Sequence, residues 1–366
     1  MFSRPSRIAL PFVVVGVIAA GAVVPTVRAA ASPHLAAVTP QHLVEKVLNE
    51  KVSHMSGTFE WRAQLGLPSL SNLGVGGGQG VSTSSGFDPT SLLSGTHTFS
   101  IWIDGPWRQR IAAPASLSET DVVHRGNQAW LYNSSTNHVT HYVLRARRPG
   151  STMPAQPLDG ASVPALAANI LRSVRSVGTD VSVGANVTVA GRPAYVLRVK
   201  PDRAVAANRG STVSVTTIAV DAKTGLPLRV SIYAVGQGRP ALQVGFSSVS
   251  YGTPSASMFA VPKGQSTSTR TVSPTRPTVG GHSGAADRSV LGRDWGTIAV
   301  LTSGPSLGGS SARSLDAVTT VVTGSWGSGR LLTSTLVNAL ILTNGHVLIG
   351  MVTPATLENA ASHLAA

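Results

Sequence analysis

The chain contains no cysteine, which excludes disulfides, thiolate metal ligands and a lipid-modified N-terminal cysteine. Its stability therefore rests on packing alone. Acid is scarce as well: 15 Asp and Glu face 29 Lys and Arg, and only 12% of the 366 residues are charged. Glu119 and Asp121 are the only close acidic pair on an expected strand. Spaced by two they share a face, but no third group accompanies them as acid–base catalysis would require. Phosphate-binding loops are missing too. "GVGGGQG" at 74–80 lacks dinucleotide-site spacing, and "GSWGSGRLL" from Gly324 puts Arg330 and Leu331 where a nucleotide loop needs Lys and Ser or Thr. "GHSGA" from Gly281 fails the hydrolase pattern at Ala285 and sits in a linker-like stretch. His138 and His141, three apart on an expected strand, point to opposite faces and do not share a metal. The sequence thus offers no catalytic residue, no metal site and no cofactor, and the expectation is a non-enzymatic protein.

What the chain does contain is 38 Gly, 23 Pro and many short β-branched runs, the composition of an antiparallel, turn-rich, mainly β protein. Its N-terminus, "MFSRPSRIALPFVVVGVIAAGAVVPTVRAAASP", places Arg4 and Arg7 before an apolar run from Ile8 to Val27 and then small residues. Residues 1–30 therefore read as a secretory signal cut after Ala29 or Ala31, or as an uncleaved membrane anchor, and either puts the bulk of the chain outside the cytoplasm. The formal charge of +14 falls to +11 if Arg4, Arg7 and Arg28 leave with a signal. In that compartment the acidic partners are an anionic membrane surface and envelope polymers, not nucleic acid.

Along the chain, "TPQHLVEKVLNEKV" predicts a helix with Thr39 as cap and Pro40 in first position. "SGTFEWRAQL" alternates as a half-buried strand. Residues 66–95 collapse into Gly, Ser and Leu and read as a flexible insertion. Strands resume at "THTFSIWID" and continue to "HVTHYVL", a helix follows at "VPALAANILRSVR", and five more strands lie near 180–189, 192–200, 211–221, 226–235 and 240–251. Residues 265–289 read as a disordered Ser/Thr/Pro-rich linker, and 290–366 as a small α/β region with an Asn344-Gly345 hairpin turn. Phe59 and Trp61, Phe99 and Ile101, Trp130 and Tyr132, and Tyr195 and Leu197 each stand two apart, so each pair shares one face of its strand. They are either ordinary core or the wall of an apolar, ligand-binding cavity.

Together, "SGTFEW", "FSIWIDGPWRQRI", "NQAWLYNSSTNHVTHY", "VAGRPAYVLRVKP", "VDAKTGLPLRV" and "VGFSSVSYGTPSASMFAVPKG" resemble actinobacterial-type exported members of the LolA/LolB lipoprotein-carrier and RseB/MucB-like superfamily, over residues 35–264. The resemblance implies an incomplete antiparallel β-barrel closed by helices, followed by a smaller C-terminal region. It implies an apolar cavity for lipid or lipoprotein acyl chains and no enzymatic activity. The expected function is an extracytoplasmic carrier or sensor of a lipid or lipoprotein. The alternative is an RseB-like negative regulator that binds an anti-sigma factor in the cell envelope.

Overall fold

The computed structural model describes residues 33–50, 52–67, 89–115, 118–144, 163–173, 178–261, 263, 266–272, 288–292, 294–302 and 316–365. The expected signal or anchor at 1–30 and most of the 66–95 insertion lie outside these residues. Among the described residues, no helix is long and apolar enough to cross a membrane.

Helix α1, Pro40–Leu48, begins as its residues dictate: the Thr39 hydroxyl accepts the His42 N–H at 3.3 Å, Pro40 takes the first helical position, and Leu43 and Val47 are buried. Strand β1, His54–Gln64, is followed by a 3-10 turn at Pro89–Leu93, which is the described end of the expected insertion. Then come β2 Ser94–Asp104, β3 Arg108–Ala115, β4 Ser118–Arg125, β5 Gln128–Asn133 and β6 His138–Leu144. Helix α2, Val163–Ser173, precedes β7 Thr179–Val189, β8 Arg192–Pro201, the short helix α3 Arg203–Arg209, β9 Val213–Asp221, β10 Pro227–Ala234 and β11 Leu242–Tyr251.

These strands form one mainly antiparallel sheet of twelve in the order β12-β6-β5-β4-β3-β2-β1-β11-β10-β9-β8-β7, where β12 is Ser266–Val272. Among the described residues no strand pairing closes this sheet into a barrel. It curls nonetheless, because β7 packs back against β11 four places along. One face, called inner here, is covered by α1 against β7 and β8 and by α2 against β10 and β11. The core between them holds Leu43, Val47, Val163, Ala167 and Leu171 from the helices with Leu197, Ile218, Val230 and Val244 from the strands.

Strand β12 departs from the sequence expectation, which placed 265–289 in a disordered linker. Its seven residues run parallel to β6 from Ser266 opposite His138 to Val272 opposite Leu144. Both nitrogens of His138 are satisfied there, Nδ1 with Ser266 Oγ at 2.7 Å and Nε2 with Ser268 Oγ at 2.9 Å. The Ser/Thr composition that hides the strand is what makes it fit a histidine edge.

The C-terminal region supplies β13 Arg288–Leu291, β14 Ile298–Leu301, β15 Thr320–Gly324, β16 Gly327–Leu332, β17 Asn338–Leu342, β18 Val347–Gly350 and helix α4, Pro354–Ala365. They make a second sheet in the order β13-β14-β18-β17-β16-β15, with α4 packed on β17 and β18. The expected Asn344-Gly345 turn joins β17 to β18, with Gly345 at φ 87°. Ser32–Ala366 form one compact unit.

Candidate functional site

Residues directly opposite one another in a sheet share a face, so the pairing registers decide which side chains meet. On the inner face, Phe59 stands opposite both Phe99 and Phe246. Phe59 and Phe99 stack with centroids 5.1 Å apart, and Phe246 meets Phe59 edge-on at 6.0 Å. The Phe246 ring fits because Gly57 has no side chain: a Cβ there would lie 3.1 Å from the ring and 2.6 Å from the Ser248 carbonyl oxygen. Phe59 is 2% exposed, so this trio is packed core. Trp61 lies beside it, half-buried, and its indole N–H donates to the Leu92 carbonyl at 2.7 Å.

The eight sequence-predicted residues do not form one wall. Phe59, Trp61, Phe99 and Ile101 are together on the inner face of β1 and β2. Leu197 shares that face, reached through Ile218, Val230 and Val244, but lies four strands from β1 with Tyr195 beside it; Leu197 is fully buried. Trp130 and Tyr132 are on the reverse, outer face, where Trp130 stands opposite Val123 and His141. Its ring stacks on His141 at 4.9 Å, and the Arg125 guanidinium lies over the same ring at 4.9 Å. An i, i+2 pair shares a face, but only the register says which.

A different set of inner-face residues stands out. Across β2 to β6 the register aligns Ile101, Ile111, Val122, Leu131 and Thr140 in one row, and Ile103, Gln109, His124, Ala129 and Tyr142 in the next. Neither α1 nor α2 makes its principal packing against β3–β6. In this apolar strip, His124 is 2% exposed and Thr140 1%, yet both ring nitrogens of His124 and the Thr140 hydroxyl have no hydrogen-bond partner among the described residues. Leaving such groups unpaired costs about 1–3 kcal/mol each. Burial pushes the His124 imidazole below its ordinary pKa of 6.5, while the Gly126 backbone pulls the other way without completing a hydrogen bond. The neutral ring can donate one hydrogen bond and accept another. Sequence reasoning passed over His124 because a lone histidine in "TDVVHRG" carries no pattern; its alternation with Val122 is the only signal.

The most heavily hydrogen-bonded carboxylate serves the fold. Asp221, 1% exposed, accepts the Lys223 and Thr224 N–H groups at 2.8 and 3.0 Å, the Tyr251 hydroxyl at 3.1 Å, and the Arg192 guanidinium, which lies over the Tyr251 ring. Burial works to raise its pKa, but these bonds and the Arg192 charge bring it below the ordinary 3.8. Burial and the Asp221 charge push Tyr251 up to about 12. A carboxylate saturated in this way pins the β9–β10 turn and has no lone pair left for a substrate. No group of three His, Asp or Glu gathers as metal ligands would among the described residues.

No family model and no curated protein matches the chain. Among solved structures it is similar to the Pseudomonas aeruginosa MucA/MucB complex, at 15% identity over 88% of this chain and 95% of that one, with a TM-score of 0.41. It is also similar to a LolA superfamily protein from Nitrosomonas europaea, at 13% identity over 62% of this chain and 99% of that one, with a TM-score of 0.21. A putative outer membrane lipoprotein-sorting protein domain from Vibrio parahaemolyticus matches at 12% identity over 60% of this chain and 95% of that one, with a TM-score of 0.22.

Proposed function

We propose that the chain is a non-enzymatic, extracytoplasmic carrier or sensor of a lipid, or of the acyl part of a lipoprotein, held on the inner face of β2–β6. The observation that carries this is the apolar row Ile101, Ile111, Val122 and Leu131 flanked by two buried polar groups with no hydrogen-bond partner among the described residues. An acyl chain would lie along the half-buried end of the row, over Val122 and Leu131, since Ile101 and Ile111 are already buried in the core. The carbonyl or hydroxyl of its ester end would satisfy His124 and Thr140. Burial of hydrocarbon contributes about 0.8 kcal/mol per CH₂, so a dozen methylenes give about 10 kcal/mol. That is of the same order as the roughly 4–15 kcal/mol lost on association, so the polar end decides whether binding is tight. The signal-like N-terminus expected from the sequence supports the location.

The test is native mass spectrometry of protein purified from its own envelope, together with titration of a fluorescent fatty acid. Saturable uptake is expected, lost in Leu131→Glu and kept in Trp130→Ala, whose ring is on the outer face. No retained lipid and no saturable uptake by the native protein would overturn the proposal.

The second reading, an RseB-like regulator gripping an anti-sigma factor, is favoured by the second sheet, which a carrier built on one sheet does not need. Its edge strands β13 and β15 hold Val290 and Val321 at 64% and 68% exposure. Crosslinking in cells that captures no membrane partner would count against it.

A further inference from the structure

The outer face behind the helix-covered half of the sheet carries an unbalanced pair of arginines. Register places Arg62, Gln243 and Ser231 in one row across β1, β11 and β10, and Glu60, Gly245 and Arg229 in the next. Arg62 pairs with Glu60, the carboxylate beside it on this face among the described residues. Arg229 makes no hydrogen bond or ion pair among the described residues, although it is half-buried. Its stem lies flat across β11 over Gly245, where a Cβ would come within 2.7 Å of Arg229 Cγ. That notch turns Arg229 towards β1, where Glu60 stands in its own row and Arg62, held by Glu60, in the next row of the same face. Burial lowers the Arg229 pKa, Tyr233 works against that shift, and the Arg62 charge adds to it. Ser231, 3% exposed, and Gln243 form the floor between them, with Ser231 Oγ 3.4 Å from Gln243 Oε1.

Two cations brought together over a polar floor, one of them partly stripped of water and unpaired, are costly in an empty protein. The cost is recovered when an anion arrives. The planar fork of a guanidinium matches two oxygens of a phosphoryl group, and a doubly charged anion satisfies two such forks at once.

We propose that the outer face of β1, β11 and β10 is a binding site for a phosphoryl group, clamped between Arg229 and Arg62 over Ser231 and Gln243. The group belongs either to an anionic lipid headgroup or to a free phosphate ester. This site lies on the opposite face from the acyl-binding strip, and neither depends on the other.

Arg198 provides the control. It is on the same face, in line with Arg62 through Gln243, Ser231 and Thr217, but its stem lies over Gly184 towards β7, away from the pair. The experiment measures thermal melting with inorganic phosphate and with glycerol phosphate at matched ionic strength, and sedimentation with phosphatidylglycerol and phosphatidylcholine vesicles. Phosphate ligands are expected to raise the native Tm, and Arg229→Gln to weaken binding about tenfold or more, while Arg198→Gln stays within about twofold. Without ligand, Arg229→Gln should melt no lower than the native chain, since it removes a half-buried charge with no partner. If it fails to fold, Arg62→Gln carries the same test. Binding of phosphatidylglycerol vesicles alone assigns the phosphoryl group to a lipid, and binding of the soluble esters assigns it to free phosphate. Equal loss in Arg229→Gln and Arg198→Gln would mean a merely basic surface and overturn the site, as would the absence of any response in the native chain. Fatty-acid uptake, read on the same variants, reports on the inner face separately.

Discussion

At the scale of single residues, His124 shows how burial and charge set a measurable pH response. Its folded pKa lies below 6.5, so as pH falls through 6.5 the unfolded chain takes up a proton that the folded chain refuses. Stability is therefore expected to decline from pH 6.5 downward until the folded pKa is reached. His124→Leu should flatten that slope in urea melts between neutral and mildly acid pH, because it removes both orphan nitrogens and fills similar space. An unchanged slope would show that another group titrates there. Residues such as these are barely legible in a sequence. Phe59 and Phe99 were identifiable as apolar and inward, but that they stack on each other, with Phe246 over Gly57, is set by strand order. Trp130 and Tyr132 look the same in sequence as Phe99 and Ile101, yet the same register turns one pair inward and the other outward.

At the scale of elements, local chemistry was legible and distant pairing was not. The β9–β10 turn could be read as "DAKTGLP", with Gly225 at φ 85°. What the residues alone conceal is that Asp221 is also held by Arg192 and Tyr251, 29 and 30 residues away. Since its folded pKa is depressed, Asp221 stabilises the fold above pH 3.8 and loses that contribution as pH falls towards the lower folded value. Asp221→Asn should lower stability at neutral pH and make the acid limb below about pH 3.8 shallower, as read by urea melts across that range. Strand β12 went unseen for the converse reason: "STSTRTV" has no apolar alternation, and its partner lies 128 residues back. The two serine bonds to His138 hold it in register. His138→Ala should speed amide exchange in Ser266–Val272 while leaving β9–β11 protected, and equal exchange throughout would show that backbone pairing alone holds β12.

At the scale of the whole molecule, the question is whether the two sheets behave as separate bodies. The 290–366 region reads in sequence as an appendage after a linker, yet the chain ties it to the first sheet at several points. Thr212 N–H donates to Met351 O at 3.0 Å, and Thr353 N–H to Gly210 O at 2.7 Å, around a bridge between Ser211 and Val352. Thr335 N–H donates to Leu65 O at 3.0 Å, and the Thr212 hydroxyl to Leu336 O at 2.6 Å. Leu336 belongs by sequence to the second sheet but is 1% exposed within the core of the first. Arg209 and Trp295 add an ion pair to Asp294 and a hydrogen bond to Thr179. Bonds of this kind contribute about 1 kcal/mol each, and a buried leucine truncated to alanine costs about 2–5 kcal/mol. Summed over these ties, the interface is comparable to the stability of a typical domain, roughly 5–15 kcal/mol. The two sheets should accordingly unfold in one transition, and Leu336→Ala should lower that single midpoint as seen both by near-ultraviolet signal from the first sheet and by a label on α4. If the α4 label melts first in the native chain, the sheets are independent and the ties are surface contacts. If Leu336→Ala alone splits the curve in two, then this one side chain is the bolt that makes two sheets one cooperative molecule.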